Sequence, residues 1–74
     1  MNIELQELRS GSSGEQVKTL QRLLIALGYG MGSYGADGKF GSVTDHAVRS
    51  FQRKNNLVAD GIVGANTWRK LLGA

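Results

Sequence analysis

Ala36-Asp37-Gly38-Lys39-Phe40-Gly41-Ser42-Val43-Thr44 and Ala59-Asp60-Gly61-Ile62-Val63-Gly64-Ala65-Asn66-Thr67 are two copies of one pattern, 23 residues apart (60 minus 37). Ala, Asp, Gly, Gly and Thr recur in register, and each copy runs straight into a stretch with helical spacing. Asp-Gly is a tight-turn pair: the carboxylate accepts from nearby backbone amides and the glycine supplies a positive φ. Phe40 and Val63 would plug each turn into a core, and Gly41 and Gly64 would let the chain bend into the helix. Thr44 and Thr67, in the first helical turn, are placed to bond back to the turn's amides.

Working outward, the segment before the first copy is a helix. Val17, Leu20, Leu24 and Leu27 mark one face, with Leu23 beside them. Ser12 and Glu15 have capping-box spacing, and Gly28 is a C-terminal stop. A second helix starts near Ser42, where Ser42 and Asp45 repeat that spacing. It buries Thr44, Ala47, Val48 and Phe51, and ends at Asn55-Asn56. Leu57 and Val58 re-enter the core. A short third helix begins at Ala65-Asn66, buries Trp68, Leu71 and Leu72, and ends at Gly73. A weaker echo links helices one and two: Val17-Lys18-Thr19-Leu20-Gln21 parallels Val48-Arg49-Ser50-Phe51-Gln52. Each glutamine sits at the edge of the apolar stripe, where its amide can tie down a loop's backbone. The expected fold is all-α, a small three-helix bundle with two glycine-rich Asp-Gly loops. Residues 1–7 read as a tail or linker and 8–74 as the domain.

Seventy-four residues allow one domain with a modest core. The net charge is +3, from nine basic and six acidic residues, mostly scattered. That bias favours anionic polymers without demanding nucleic acid. The helix-two set Arg49, Gln52, Arg53 and Lys54 is thin for a recognition helix. No stretch approaches the roughly 18 apolar residues of a membrane span. The N-terminal eight residues are acidic and mixed, unlike a secretion signal. The expectation is therefore a domain of a longer protein, or one whose export route lies elsewhere.

Catalytic and metal chemistry find little purchase. Of the six carboxylates, Glu15 and Asp45 stand at cap positions, and Asp37 and Asp60 stand in turns. No acid–base pair is left for glycoside cleavage. With one histidine, His46, and no cysteine, a zinc site has too few ligands. Asp37 alone cannot make a calcium loop, and the glycines lack the Gly-Lys-Ser/Thr ending of a phosphate loop. No catalytic residue, metal or cofactor is expected.

The ordered set Leu8-Arg9-Ser10-Gly11, Gly14-Glu15-Gln16-Val17, Leu20-Gln21, Leu27-Gly28-Tyr29, Asp37 to Gly41, Thr44, Ala47-Val48, Phe51-Gln52, Leu57, Asp60 to Gly64 and Thr67-Trp68 resembles the type-1 peptidoglycan-binding domain. The resemblance covers roughly Leu8 to Leu72. Family members often carry proline after the second glycine of the turn; Ser42 and Ala65 hold those places here. The resemblance implies a three-helix fold and a non-catalytic module that attaches a wall hydrolase, such as an amidase, muramidase, carboxypeptidase or phage endolysin, to peptidoglycan. It implies a monomer at the cell wall or outside the cell, covalently linked to a catalytic domain, with no nucleic-acid or membrane partner. The competing reading is an interaction domain packed on a catalytic domain.

The expected contact surface lies where the long glycine loop, Gly28 to Gly41, meets the helix edges. Its candidates are Tyr29, Tyr34, Asp37, Arg49, Gln52 and Trp68. A tyrosine ring stacks on a sugar face while its hydroxyl bonds. Arg49 can pair with a stem-peptide carboxylate.

Overall fold

The computed structural model describes residues 5–73, apart from the Tyr34 side chain. Three helices form: α1 (Glu15–Ala26), α2 (Ser42–Lys54) and α3 (Ala65–Gly73), with a 3₁₀ turn at Gly32–Tyr34. The all-α bundle read from the sequence is the observed fold. α1 and α2 turn Val17, Leu20, Leu24, Val48 and Phe51 inward, and α3 adds Trp68 and Leu71. Fully burying one such side chain contributes about 1.5–3 kcal/mol, so this seam supplies most of the cohesion.

α2 and α3 start where the sequence placed them, but the capping residues differ from expectation. The residue preceding α1 is Gly14, and no side chain caps it. Glu15 is already the first helical residue, so it cannot be the third residue of a capping box. Ser12 instead accepts the Arg9 N–H through its Oγ at 3.1 Å. Ser42 likewise lies inside α2, with Gly41 before it and no side-chain cap. Glu15 and Asp45 still favour their helices, because a carboxylate in the first turn meets the positive end of the dipole.

Both C-terminal stops read correctly. Gly28 has φ 95° and Asn56 has φ 59°. The N–H of Tyr29 donates to Leu24 O (2.8 Å), and that of Leu57 donates to Gln52 O (2.8 Å). Gly28 donates to Ile25 O and Asn56 to Arg53 O. These are paired Schellman bonds, and they satisfy carbonyls that a helix end leaves free.

Three side chains expected inside lie outside. Val58 is 78% exposed and Leu72 59% exposed. Leu57 is the half-buried residue after the cap, and its neighbour points the other way. On α3, Trp68 and Leu71 fill the inward stripe, so Leu72 falls about 100° beyond it. Leu27 is the residue after α1's last turn and is also exposed.

An arm before α1 ties both turns together, a feature that helical periodicity does not register. Leu8 and Val63 exchange both backbone hydrogen bonds (3.1 and 2.8 Å). Gly11 donates to Phe40 O, Phe40 donates to Ser12 O, and Gly14 donates to Gly38 O. Phe40 and Val63 are equivalent positions of the repeat, so each copy is pinned to the arm at the same place. The Trp68 indole N–H donates to Gln6 O at 2.8 Å. Hydrogen bonding thus reaches into the segment read as a tail.

Candidate functional site

The repeat builds two matching polar nodes. In the first, Gln21 Nε2 donates to Asp37 Oδ1 (3.1 Å), Lys39 O (3.0 Å) and Thr44 Oγ1 (3.0 Å), while Gly38 N–H donates to Gln21 Oε1 (2.8 Å). In the second, Gln52 Nε2 donates to Asp60 Oδ1 (3.2 Å), Ile62 O (2.9 Å) and Thr67 Oγ1 (3.2 Å), and Gly61 N–H donates to Gln52 Oε1 (3.0 Å). Two amide hydrogens are shared among three acceptors at each node. Each aspartate also accepts the N–H two residues on, from Lys39 or Ile62 at 2.9 Å. Gly38 has φ 80° and Gly61 φ 75°, as the Asp-Gly reading requires. The threonines accept from glutamine and do not serve the turn amides.

The lysine amide and the Gln21 side chain hold the Asp37 carboxyl below its ordinary value of 3.8. The sign follows directly. A group whose folded pKa is depressed stabilises the fold above its unfolded pKa, and that contribution is lost as pH falls through the folded value. We expect the melting temperature to decline below about pH 4. Asp37→Asn, which keeps the Oδ1 acceptor, should flatten that part of the decline. Thermal melts of both chains between pH 2 and 5 provide the check.

A shallow hollow lies beside each turn. The first is lined by Met31, Gly35, Asp37, Lys39 and the start of α2 from Gly41 to Thr44. The second is lined by Leu57, Val58, Asp60, Ile62 and the start of α3 from Gly64 to Thr67. Subtracting 23 maps seven of the eight residues of the second set onto the first. The repeat therefore makes two copies of one concave frame and decorates them differently: Lys39 and Ser42 in one, Ile62 and Ala65 in the other.

The first copy also has a longer approach. Gln21 to Asp37 spans 16 residues, and Gln52 to Asp60 spans 8. Three of the eight extra residues lengthen α1: Gln21 to the Schellman residue Tyr29 is 8, against 5 from Gln52 to Leu57. The other five form the glycine loop around Gly32–Tyr34. Met31 is buried and anchors that loop.

The candidate side chains do not converge. Gln52 is 1% exposed and its amide is wholly engaged in the second node, so it is framework. Trp68 is 3% exposed, with its indole N–H satisfied by Gln6. Arg49 reaches the Asp45 carboxylate (3.1 Å) and Ala59 O (3.2 Å), and so braces the second turn. Tyr29 packs edge-on against Phe51, with centroids 5.7 Å apart, and Lys54 lies 5.8 Å over its ring. Of the five candidates whose side chains are described, only Asp37 lines the hollow beside the glycine loop.

Comparison with known proteins gives the frame a family. The profile described as "Putative peptidoglycan binding domain" matches residues 13–71. The chain is 45% identical over 64 residues to the N-acetylmuramoyl-L-alanine amidase CwlL of Bacillus licheniformis, covering 86% of this chain and 18% of that one. The crystal structure of the SleB N-terminal domain superposes with a TM-score of 0.88 at 39% identity, over 97% of this chain and 96% of that one. The Burkholderia AP3 phage endolysin gives a TM-score of 0.83 at 45% identity, over 89% of this chain and 24% of that one. The chain spans about a fifth of the length of the curated amidases it matches. Matched across most of its length in both sequence and fold, this chain belongs to the peptidoglycan binding domain family.

Proposed function

We propose that the chain is a non-catalytic module that holds an attached wall hydrolase on peptidoglycan, at the cell wall or outside the cell. The observation that carries this reading is the family match over residues 13–71. The proteins that share the domain and carry an enzyme name do so with most of their length outside it, as in CwlL. The carboxylates among the described residues support a non-catalytic role. Glu7 pairs with Arg9, Glu15 with Lys18 and Asp45 with Arg49, while Asp37 and Asp60 are held in turns. Tethering raises the effective concentration of a linked enzyme at a polymeric substrate, which makes a weak single site useful.

The contact surface we infer is the face of the glycine loop and the hollow beneath it, from Tyr34 to Val43. The five residues by which this loop exceeds its repeat partner support it: closing the turn does not require them. Tyr29, Arg49, Gln52 and Trp68 do not line that hollow; Arg49 and Gln52 brace the second turn. Tyr34→Ala should weaken co-sedimentation with purified walls about fivefold, the loss of one stacking contact, with an unchanged melting temperature. Undiminished sedimentation of the folded variant would contradict this placement. Release of reducing ends or free amines from walls by the chain alone would contradict the non-catalytic reading.

A further inference from the structure

On the side of the molecule built by α3 and the end of α2 lies a wider groove, lined by Asn55, Leu57, Asn66, Arg69, Lys70 and Gly73. Its volume of about 470 Å³ falls in the range typical of small-ligand sites, about 300–1,000 Å³. Three features set it apart. First, it is cationic. Arg69 and Lys70 are exposed, form no ion pair among the described residues, and share α3 with no acidic residue. Lys70 alone would be explained by the negative end of the α3 dipole; Arg69 would not. Second, Asn66 is exposed and its side-chain amide has no hydrogen-bond partner among the described residues. It presents both a donor and an acceptor at the groove. Third, Leu57 and Asn66 also line the hollow of the second turn, which continues the groove to the exposed Val58. Along one surface there is thus an apolar wall, an amide and a pair of cations.

We propose that this groove is a second binding site, taking a short peptide with small side chains and a free carboxylate. The amide reads the peptide's own N–H and C=O, the apolar wall receives a methyl side chain, and Arg69 and Lys70 take the carboxylate. A phosphate-rich polymer would use the cations but neither the amide nor the apolar wall. The inference rests on the reading of the module as a peptidoglycan binder, whose stem peptides have this chemistry. It adds a peptide site distinct from the hollow beside the first turn.

The test is a titration of the ¹⁵N-labelled full chain, followed by ¹H–¹⁵N correlation spectra, with three probes: N-acetyl-L-alanyl-D-glutamate, tetra-N-acetylchitotetraose and inorganic phosphate. The dipeptide should shift the amides of Leu57, Asn66, Arg69 and Lys70 and the Asn66 side-chain NH₂. The neutral sugar should leave them in place, and phosphate should not displace the dipeptide. Asn66→Asp puts a carboxylate in the groove at the favourable end of α3, so it should weaken the dipeptide about tenfold while the melting temperature holds or rises. Arg69→Gln/Lys70→Gln should weaken it comparably. Dipeptide shifts absent from these residues, equal affinity in Asn66→Asp, or displacement by equimolar phosphate would each overturn the proposal. Sacculus binding by the same sample separates the two readings. Binding to sacculi without dipeptide shifts overturns the groove alone, whereas no binding to sacculi overturns the module reading itself.

Discussion

Gln52→Ala is expected to remove a large part of the fold's stability. The side chain is buried and makes four hydrogen bonds, three as donor and one as acceptor. Truncation leaves the Gly61 N–H and the Ile62 carbonyl without those partners and removes a donor from Asp60. An unsatisfied buried polar group costs about 1–3 kcal/mol, and networks lose more than pairs. We expect a loss of about 3–4 kcal/mol, against a total near 4–11 kcal/mol for a domain of this size. Gln52→Glu should be no milder, although it is nearly isosteric. A carboxylate cannot donate to Asp60, Ile62 or Thr67, and it would face the Asp60 carboxylate directly. Gln21→Ala should behave like Gln52→Ala, because the first node repeats the second bond for bond. Urea denaturation of the four chains is the measurement. An unfolding free energy for Gln52→Ala within about 1 kcal/mol of the parent would contradict the nodes as the chief polar ties of the fold.

Gly61→Ala should cost more than Gly38→Ala, although the two glycines are repeat equivalents. Both have positive φ, which costs a non-glycine residue about 1 kcal/mol. Their surroundings differ. A Cβ at Gly38 would come 3.3 Å from Gly14 O, close enough for a small adjustment. A Cβ at Gly61 would run into Asp45 Oδ1 and come 3.0 Å from Arg49 Nε. To make room, the Asp45–Arg49 pair must move, and with it the bond from Arg49 to Ala59 O. We expect about 1 kcal/mol for Gly38→Ala and about 2 kcal/mol for Gly61→Ala, the excess being one exposed ion pair and one charge-assisted bond. Adding Asp45→Ala to Gly61→Ala should then cost less than the two changes summed, since the clash disappears with the carboxylate. Strict additivity in that double-mutant cycle would contradict the account.

Much of this architecture was legible in the sequence because it is local. An Asp-Gly pair needs positive φ at its glycine, and both turns have it. Gly28 and Asn55-Asn56 mark helix ends by the left-handed residue a Schellman cap requires. The echo of Gln21 in Gln52 foretold amides that tie loop backbone, yet Gln52 was also a candidate for ligand contact; a side chain spent on four internal bonds cannot serve both. The capping boxes were misread because Ser-x-x-acid spacing does not by itself fix the frame: Gly14 and Gly41, not Ser12 and Ser42, directly precede their helices. The arm from Gln6 to Gly14 makes backbone contacts 24 to 55 residues distant, and periodicity carries no trace of those. The groove at Asn66, Arg69 and Lys70 did leave a signal: an adjacent basic pair in a helix without acid. Its meaning depends on Leu57 and Asn55, which α2 delivers from elsewhere in the chain.

The central claim is that this small bundle binds peptidoglycan by itself. Its most direct measurement is an isotherm for sedimentation of the purified chain with sacculi stripped of covalently attached anionic polymers, at two ionic strengths. The account predicts saturable binding that weakens, without vanishing, as salt rises from 0.05 to about 0.5 M, because screening touches the exposed cations and spares stacking and hydrogen bonds. Sedimentation that rises linearly without saturating, or that disappears at the higher salt, would contradict it.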